Sequence, residues 1–313
     1  MTSATIDTDA LLALGQALQH AGYQFTTVTP STHRRVNGRV ANAWARDLRG
    51  VFGWSRPFQF DTLPVEIVTL MRSAGVLVER EDGLRAAVRA STIGNRLYFH
   101  SAFPTHDNDS VFFGPDTYRY IAALHRAMET ITSPRRVVDI GAGSGAGAIE
   151  VAARFPQSEA IAADINDRAL VLTGVNARLA ATPKVEARHS DLLKDLDGAF
   201  DLVLSNPPYI LDPARLRYRH GGDMRGAGMS LQIVDAALDR LRAGGTLLLY
   251  TGIAIVDGRD EFLDTIRPRL DAACDAWSYE ELDPDIFGGQ LECEGYEEVE
   301  RIAAVWLKAT KRA

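Results

Sequence analysis

Two short runs hold the residues best suited to chemistry. The first is Asp139-Ile140-Gly141-Ala142-Gly143-Ser144-Gly145. Glycines at alternate positions let a backbone turn tightly and approach a ligand closely. A helix starting behind such a turn offers free N–H groups to an anion or a carboxylate. Asp164 ends the next apolar run, where a carboxylate can accept hydrogen bonds from two ribose hydroxyls. Gly141, Gly143 and Ala146 also satisfy G-x-G-x-x-G/A, so a dinucleotide site shares this much of the pattern. Asp139 separates the two readings. A carboxylate before the first glycine is poor company for a pyrophosphate and better company for the ammonium and sulfonium of S-adenosylmethionine. The second run is Asn206-Pro207-Pro208-Tyr209, which also follows an apolar stretch.

D-x-G-x-G-x-G at 139–145, the acid Asp164, a further acid Asp191 and N-P-P-Y at 206–209 together resemble a class I S-adenosylmethionine-dependent methyltransferase. The resemblance is to the group that methylates planar nitrogens. That group includes HemK-type protein-glutamine methyltransferases and the N-P-P-Y enzymes that act on exocyclic amines of adenine or guanine. It covers roughly residues 111–252. An amide or aryl-amine nitrogen is a weak nucleophile because its lone pair is delocalised. The resemblance implies that the Asn206 side-chain oxygen and the Pro207 carbonyl accept its two N–H bonds, with the prolines fixing both acceptors in place. Tyr209 would stack on the planar group. Methyl transfer is an in-line displacement, so positioning can supply much of the rate.

The same resemblance assigns the methionine end of the cofactor to Asp139, Gly141, Gly143 and Gly145, the ribose to Asp164 and the adenine to Asp191. Ile165 and Leu192 are candidate adenine walls, and as apolar residues at strand ends they read equally well as core. Asn206 would face the cofactor as well as the substrate. Val111–Thr117 stands where such enzymes have a lead-in segment lining the cofactor pocket, while Asp116 and Thr117 read equally as a helix N-cap. Pro208, Tyr209, Arg215 and Arg219 are the candidate substrate contacts. The last two belong to a departure from the HemK pattern, since residues 211–231 carry Arg215, Arg217, Arg219 and Arg225 where an acidic stretch is expected. These arginines could meet phosphates or an acidic peptide, or form a polar lid in water. His189 and His220 read as structural. No metal-ligand spacing occurs, and Ser144 sits in a cofactor turn rather than a nucleophile elbow.

Elements that place these runs at strand ends are legible. Strands are expected over 135–143, 159–165, 185–191, 201–208 and 246–252, with helices over 144–155, 167–180 and 230–245. Such alternation builds a parallel sheet covered by helices on both faces, with ligands at the carboxyl ends of the strands. The expected fold is α/β, a Rossmann-like, seven-stranded methyltransferase sheet behind an N-terminal α+β domain. That domain should span 1–105 as a substrate-recognition unit, and the cofactor-binding catalytic domain 106–313. Before the polar stretch 101–110 the pattern is a helix at 63–75, then strands at 76–80, 84–91 and 96–101, which resembles a winged helix-turn-helix.

The chain has 313 residues, 46% hydrophobic and 24% charged, which excludes a disordered, collagenous or coiled-coil protein. No apolar run is long enough for a membrane helix, the first residues lack a signal-peptide pattern, and two cysteines are too few for a disulfide framework. The expected location is therefore the cytoplasm, with no membrane and no metal. Net charge is −7, unevenly spread. Residues 33–56 hold six Arg and one Asp, with Trp44, Phe52 and Trp54 between them, whereas 270–300 hold eleven acids and no Lys or Arg. The first segment is either an amphipathic helix with its Arg face in water or a grip for phosphates and bases. The functional expectation is an S-adenosylmethionine-dependent N-methyltransferase acting on an exocyclic amine of a nucleobase in RNA or DNA. The alternatives are a protein (glutamine-type) nitrogen or a small molecule, and more remotely a nicotinamide dehydrogenase or a non-catalytic cofactor-binding module. The oligomeric state is not legible.

Overall fold

Val137 and Val138 are neighbours on one strand and neither is exposed. Successive strand residues point to opposite faces, so the sheet that holds them is covered on both. The structure, a computed structural model, describes residues 6–105, 107–212, 216 and 218–313. The N-terminal part runs through α1 (Thr8–His20), α2 (Pro30–Asn37) and α3 (Val65–Ser73) into two hairpins. These are β1 (Leu77–Arg80) with β2 (Gly83–Ala86), and β3 (Val88–Ile93) with β4 (Arg96–Ser101). There follow α4 (Pro115–Met128), β5 (Arg136–Ile140), α5 (Ala146–Arg154), β6 (Glu159–Asp164), α6 (Asp167–Leu179), β7 (Val185–His189) and β8 (Phe200–Ser205). The chain ends with α7 (Gly228–Arg240), β9 (Leu241–Val256), β10 (Arg259–Asp260), α8 (Glu261–Ala273), β11 (Cys274–Asp283) and β12 (Arg301–Lys311).

The main sheet has the order β11-β12-β9-β8-β5-β6-β7, with the short β10 paired to β9. Strands β7, β6, β5, β8 and β9 are parallel, while β12 lies antiparallel between β9 and β11. The expected seven-stranded Rossmann-like sheet is therefore present. From β5 the chain moves to β6 and β7 on one side, then returns to β8 on the other. The order reverses between β5 and β8, and the crevice beyond their carboxyl ends is where such a fold takes its ligand. The Gly-rich turn leaves β5 there, and N-P-P-Y leaves β8 there.

One face of the sheet packs Val137, Leu202 and Leu248 against α4 and α5, and the other packs Val138, Val203 and Leu247 against α7 and α8. The N-terminal part has a third core, closed by Ala169, Leu172 and Val175 from one face of α6. Asn176 of α6 is fully buried and bonds both the N–H (2.8 Å) and the carbonyl (3.0 Å) of Phe99 on β4. Glu150 of α5, also buried, accepts from Tyr98 (2.6 Å), Arg96 (3.0 Å) and His125 (2.8 Å).

Three local expectations need correction. The single strand read over 84–91 breaks at Ala87, whose N–H bonds the Val76 carbonyl (2.8 Å), so two separate hairpins form. The helix read over 230–245 ends at Arg240, where Leu241 turns extended and pairs with Phe200. No continuous helix spans 33–56. Helix α2 stops at Asn37, a 3-10 turn occupies Val40–Asn42, and a π turn occupies Arg49–Gly53. Of the three aromatics there, Phe52 is core and Trp54 packs edge-on to Phe25 at 5.4 Å, leaving Trp44 at the surface.

Candidate active site

Gly141, Gly143 and Gly145 all have positive φ, at 68°, 57° and 78°. That region strains any residue with a Cβ. At Gly141 and Gly143 an added Cβ would meet nothing within 4 Å, so the space over the turn is an open cradle. At Gly145 an added Cβ would lie 2.7 Å from Cγ2 of Thr173, so this glycine serves packing. Asp164 accepts the Gly143 N–H (2.9 Å) and the Asn166 N–H (2.9 Å), which locks the turn to the end of β6. Burial raises its carboxyl above the usual carboxylate range. Beside it Ile165 is 43% exposed, which removes the core reading and leaves an apolar wall at the crevice.

The other cofactor assignments come out differently. Asp139 lies under the turn rather than in the crevice. It is fully buried, accepts the Ala148 N–H (2.9 Å) in the first turn of α5, and receives the Tyr120 hydroxyl at 3.5 Å. The orphan N–H groups of a helix start attract the nearest carboxylate. Burial, with a smaller contribution from Asp164, pushes its carboxyl up to about 7. Asp191 is exposed and ion-paired with Lys194. Leu192 is half-buried with a φ of 54°.

Asn206 is half-buried at the end of β8, and its side chain has no hydrogen-bond partner among the described residues. Pro207 is buried and Pro208 half-buried. Tyr209 is 7% exposed and forms a wall of the crevice, not a free-standing plate. Its ring meets Tyr250 at 6.4 Å and Phe287 at 5.9 Å, both edge-on. It lies so close to β9 that a Cβ on Gly252 would stand 2.4 Å from its Cδ2. Burial, with the nearby Asp116 carboxylate, raises its hydroxyl well above the usual tyrosine range.

Asp116 is a buried acid near N-P-P-Y that spacing alone does not single out. The helix cap is Gly114, whose N–H bonds the Thr117 hydroxyl at 3.2 Å. Asp116 is 2% exposed and accepts the Tyr250 hydroxyl (3.0 Å) and Arg119 (3.1 Å), while Arg119 also reaches Asp283 (2.9 Å). Arg119 is a local i,i+3 partner, but Tyr250 lies far along the chain, and no local pattern connects it to Asp116. The one signal in the sequence is a lead-in acid with two readings.

The described residues 218–227 of the arginine-rich segment after N-P-P-Y pack against the protein. The Gly221 N–H bonds the Ile210 carbonyl (2.8 Å), and an added Cβ on Gly226 would stand 2.2 Å from the Tyr209 carbonyl oxygen. Arg219 donates to Gln290 (2.6 Å), and Arg225 pairs with Glu261 and Glu298, both at 3.1 Å. One nitrogen of Arg219, half-buried, is thus held by the protein. Arg215 and Arg217 lie outside the described residues. Tyr218 donates to the Thr105 carbonyl (3.0 Å), joining this loop to the segment that precedes α4. Among the described residues no group of His, Cys, Asp or Glu could hold a metal ion, and no helix is long and apolar enough to cross a membrane.

The open cradle at Gly141 and Gly143, the carboxylate of Asp164 and the apolar wall of Ile165 fit S-adenosylmethionine. Residues 121–252 match the family model described as the methyltransferase small domain. With the strand order and both loops at the switch point, this part of the chain is a class I S-adenosylmethionine-dependent methyltransferase domain. The relatives narrow the class. The release factor glutamine methyltransferase of Deinococcus radiodurans is 36% identical over 138 residues, which are 40% of this chain and 49% of that protein. The enzyme of the same description from Cereibacter sphaeroides is 34% identical over 177 residues, 52% of this chain and 60% of that one. The ribosomal protein uL3 glutamine methyltransferase of Neisseria gonorrhoeae is 35% identical over 128 residues, 37% of this chain and 42% of that one. The chain thus spans about half the length of the curated relatives it matches.

Proposed function

We propose that this protein methylates the side-chain amide nitrogen of a glutamine in a protein, with S-adenosylmethionine as donor. The observation that carries the reading is the unpartnered Asn206 side chain, held half-buried at the end of β8 beside the cradle. The donor supplies an electrophilic methyl on its sulfonium. Asn206 and the Pro207 carbonyl accept the two N–H bonds of the substrate amide and so turn its lone pair toward the methyl. The Pro207 carbonyl is held by the two prolines before the substrate arrives, so orienting it costs little during the reaction. Tyr209, packed edge-on against Tyr250 and Phe287, walls the planar amide. As the new bond forms the nitrogen becomes acidic, and its proton leaves through the same acceptors.

Two observations favour a carboxamide over the nucleobase expected from the sequence. The relatives carry glutamine methyltransferase descriptions. In addition, residues 284–300 lie against the loop after N-P-P-Y, through Gln290 to Arg219 and through Tyr296 to the Leu211 N–H (2.8 Å). They expose Asp285, Glu292, Glu294, Glu297, Glu298 and Glu300 and hold no Lys or Arg. Such a rim repels a polyanion and draws a basic protein. By this reading the substrate is a cytoplasmic protein of translation, as the descriptions of the relatives have it for theirs.

The test is transfer from a tritium-labelled methyl donor into extract of cells lacking the protein, followed by nuclease or protease. Label freed by protease and recovered as methylated glutamine is the expected result. Label freed by nuclease overturns the carboxamide reading. Asn206→Ala should lower turnover at least about tenfold, or about 1.4 kcal/mol of barrier, and a smaller loss removes Asn206 from its role.

A further inference from the structure

The described residues expose five large hydrophobic side chains: Val40, Trp44, Phe60, Val65 and Ile165. Ile165 belongs to the cofactor crevice. The other four fall within residues 40–65, in the N-terminal part. Apolar exposure gathered on one stretch of chain marks an interaction surface. Residues 33–56, which overlap this stretch, are strongly basic. Arg34, Arg35, Arg39, Arg46 and Arg49 are all exposed, and none makes an ion pair among the described residues. The one acid of the segment, Asp47, is taken up capping the Gly50 N–H (2.7 Å).

A pocket of about 390 Å3 opens in this surface, lined by Asn37, Asn42, Trp44, Ser55, Arg56 and the ion pair Asp82–Arg85 (2.6 Å), so Arg56 is its uncompensated charge. Trp44 is 39% exposed and rests on Gly83, where an added Cβ would lie 2.8 Å from its ring. Backbone holds one side of the indole while part of the ring stays open. Arg56 is fixed by its Nε to Asn37 (2.8 Å) and by the Trp54 ring at 5.3 Å, and no carboxylate pairs with it. The Asn42 amide donates to the Val36 carbonyl (2.8 Å), which leaves its oxygen facing no protein donor.

We infer that this surface binds single-stranded RNA. An open indole stacks a base, and fixed or unpaired guanidinium groups meet phosphates. A free amide oxygen in the pocket accepts a ribose 2′-hydroxyl. Charge complementarity selects a polyanion, and the exposed ring beside a polar pocket selects one that carries bases over an acidic peptide. The surface also connects to the active site. Ser55 of the pocket accepts the Phe103 N–H (3.1 Å), and Thr105, two residues on, receives Tyr218 of the loop after N-P-P-Y. A substrate protein carried on RNA would thus be held at two places, its basic part at the acidic rim and its RNA at the arginines.

The experiment is fluorescence anisotropy of labelled oligouridylate and oligoadenylate with the full chain, over a range of salt and without methyl donor. Its outcome is therefore separate from that of the methylation test. Binding should weaken steeply with salt. The combined variant Arg34→Gln, Arg35→Gln, Arg39→Gln should flatten the log–log slope by about 0.7 for each phosphate that is no longer neutralised. Trp44→Ala should weaken binding about fivefold or more. Arg135→Gln, an exposed arginine at the opposite end of the sheet, should change nothing. These side chains are exposed, so the variants keep the fold, and circular dichroism checks that. Absence of binding overturns the inference. So does equal affinity for a polyglutamate of the same charge, or for the matching deoxyoligonucleotide, and so does a Trp44→Ala variant that binds as the parent does.

Discussion

The carboxylate of Asp116, on the first turn of α4, accepts the hydroxyl of Tyr250 from β9 at 3.0 Å, inside a site where it is 2% exposed. Arg119 ties the same carboxylate to Asp283, and the Tyr250 ring meets that of Tyr209 edge-on at 6.4 Å. One buried acid therefore fixes the tyrosine against which the ring that follows Asn206-Pro207-Pro208 packs. Asp116→Asn keeps the volume and one acceptor oxygen but loses the charge that a hydroxyl and a guanidinium share. Turnover should fall about tenfold, or about 1.4 kcal/mol, while the KM for the methyl donor stays near that of the parent. Steady-state kinetics with both substrates varied will show it. A rise in donor KM with unchanged kcat would place Asp116 at the cofactor instead of under Tyr209.

Gly143 and Gly145 look alike in sequence and should fail differently. Both have positive φ, so alanine costs about 1 kcal/mol or more at either. Only Gly145 also meets an obstacle, the Thr173 side chain at 2.7 Å. Gly145→Ala should lower the urea midpoint clearly more than Gly143→Ala. Gly143→Ala places a methyl in the open cradle and should weaken S-adenosylmethionine binding at least tenfold by calorimetry. Equal effects on both readouts would remove the distinction between packing glycine and cradle glycine.

These contrasts show what is readable from the chain. The alternation of buried strands with helices fixes the sheet, because each pattern admits one secondary structure and parallel strands need crossovers. The places of Asn206 and Asp164 are legible because each follows an apolar run that the sheet buries. Asp139 is harder to read because a carboxylate before a Gly-rich turn has two claimants, a cationic ligand above and orphan N–H groups below. The coordinates show one of its oxygens accepting the Ala148 N–H. The arginine-rich loop is ambiguous for a similar reason. The partners of Arg219 and Arg225, Gln290, Glu261 and Glu298, arrive from distant elements that no spacing rule links to residue 209.

Asp139 also predicts a pH dependence. Its ordinary value is 3.8 and the folded value is about 7, raised mainly by burial. Between these, the native protein holds a proton that the unfolded chain has released. Stability from this group is full below about pH 4 and is lost as pH rises through about 7. Asp139→Asn cannot titrate and still offers an oxygen to Ala148. The Tm of Asp139→Asn minus that of the parent, measured without cofactor, should therefore grow in favour of the variant across this window. A constant difference would mean that the carboxyl is ionised throughout.

Asn176 joins the N-terminal hairpin to the cofactor turn through one side chain. Its oxygen takes the Phe99 N–H at 2.8 Å, and its amide donates to the Phe99 carbonyl at 3.0 Å and to the Ser144 carbonyl at 2.9 Å. The first two cap the open edge of β4, where an unpaired strand would otherwise leave backbone groups buried and unsatisfied. The third steadies the turn between Gly143 and Gly145. Asn176→Leu fills nearly the same space and orphans all three. At about 1–3 kcal/mol for each unsatisfied buried group, urea unfolding should show a loss of about 3 kcal/mol or more. S-adenosylmethionine binding should weaken several-fold even under conditions where the variant is fully folded, because the turn has lost its brace. A variant that loses stability and keeps full affinity would show that the hairpin and the turn are independent, and that Asn176 serves the fold alone.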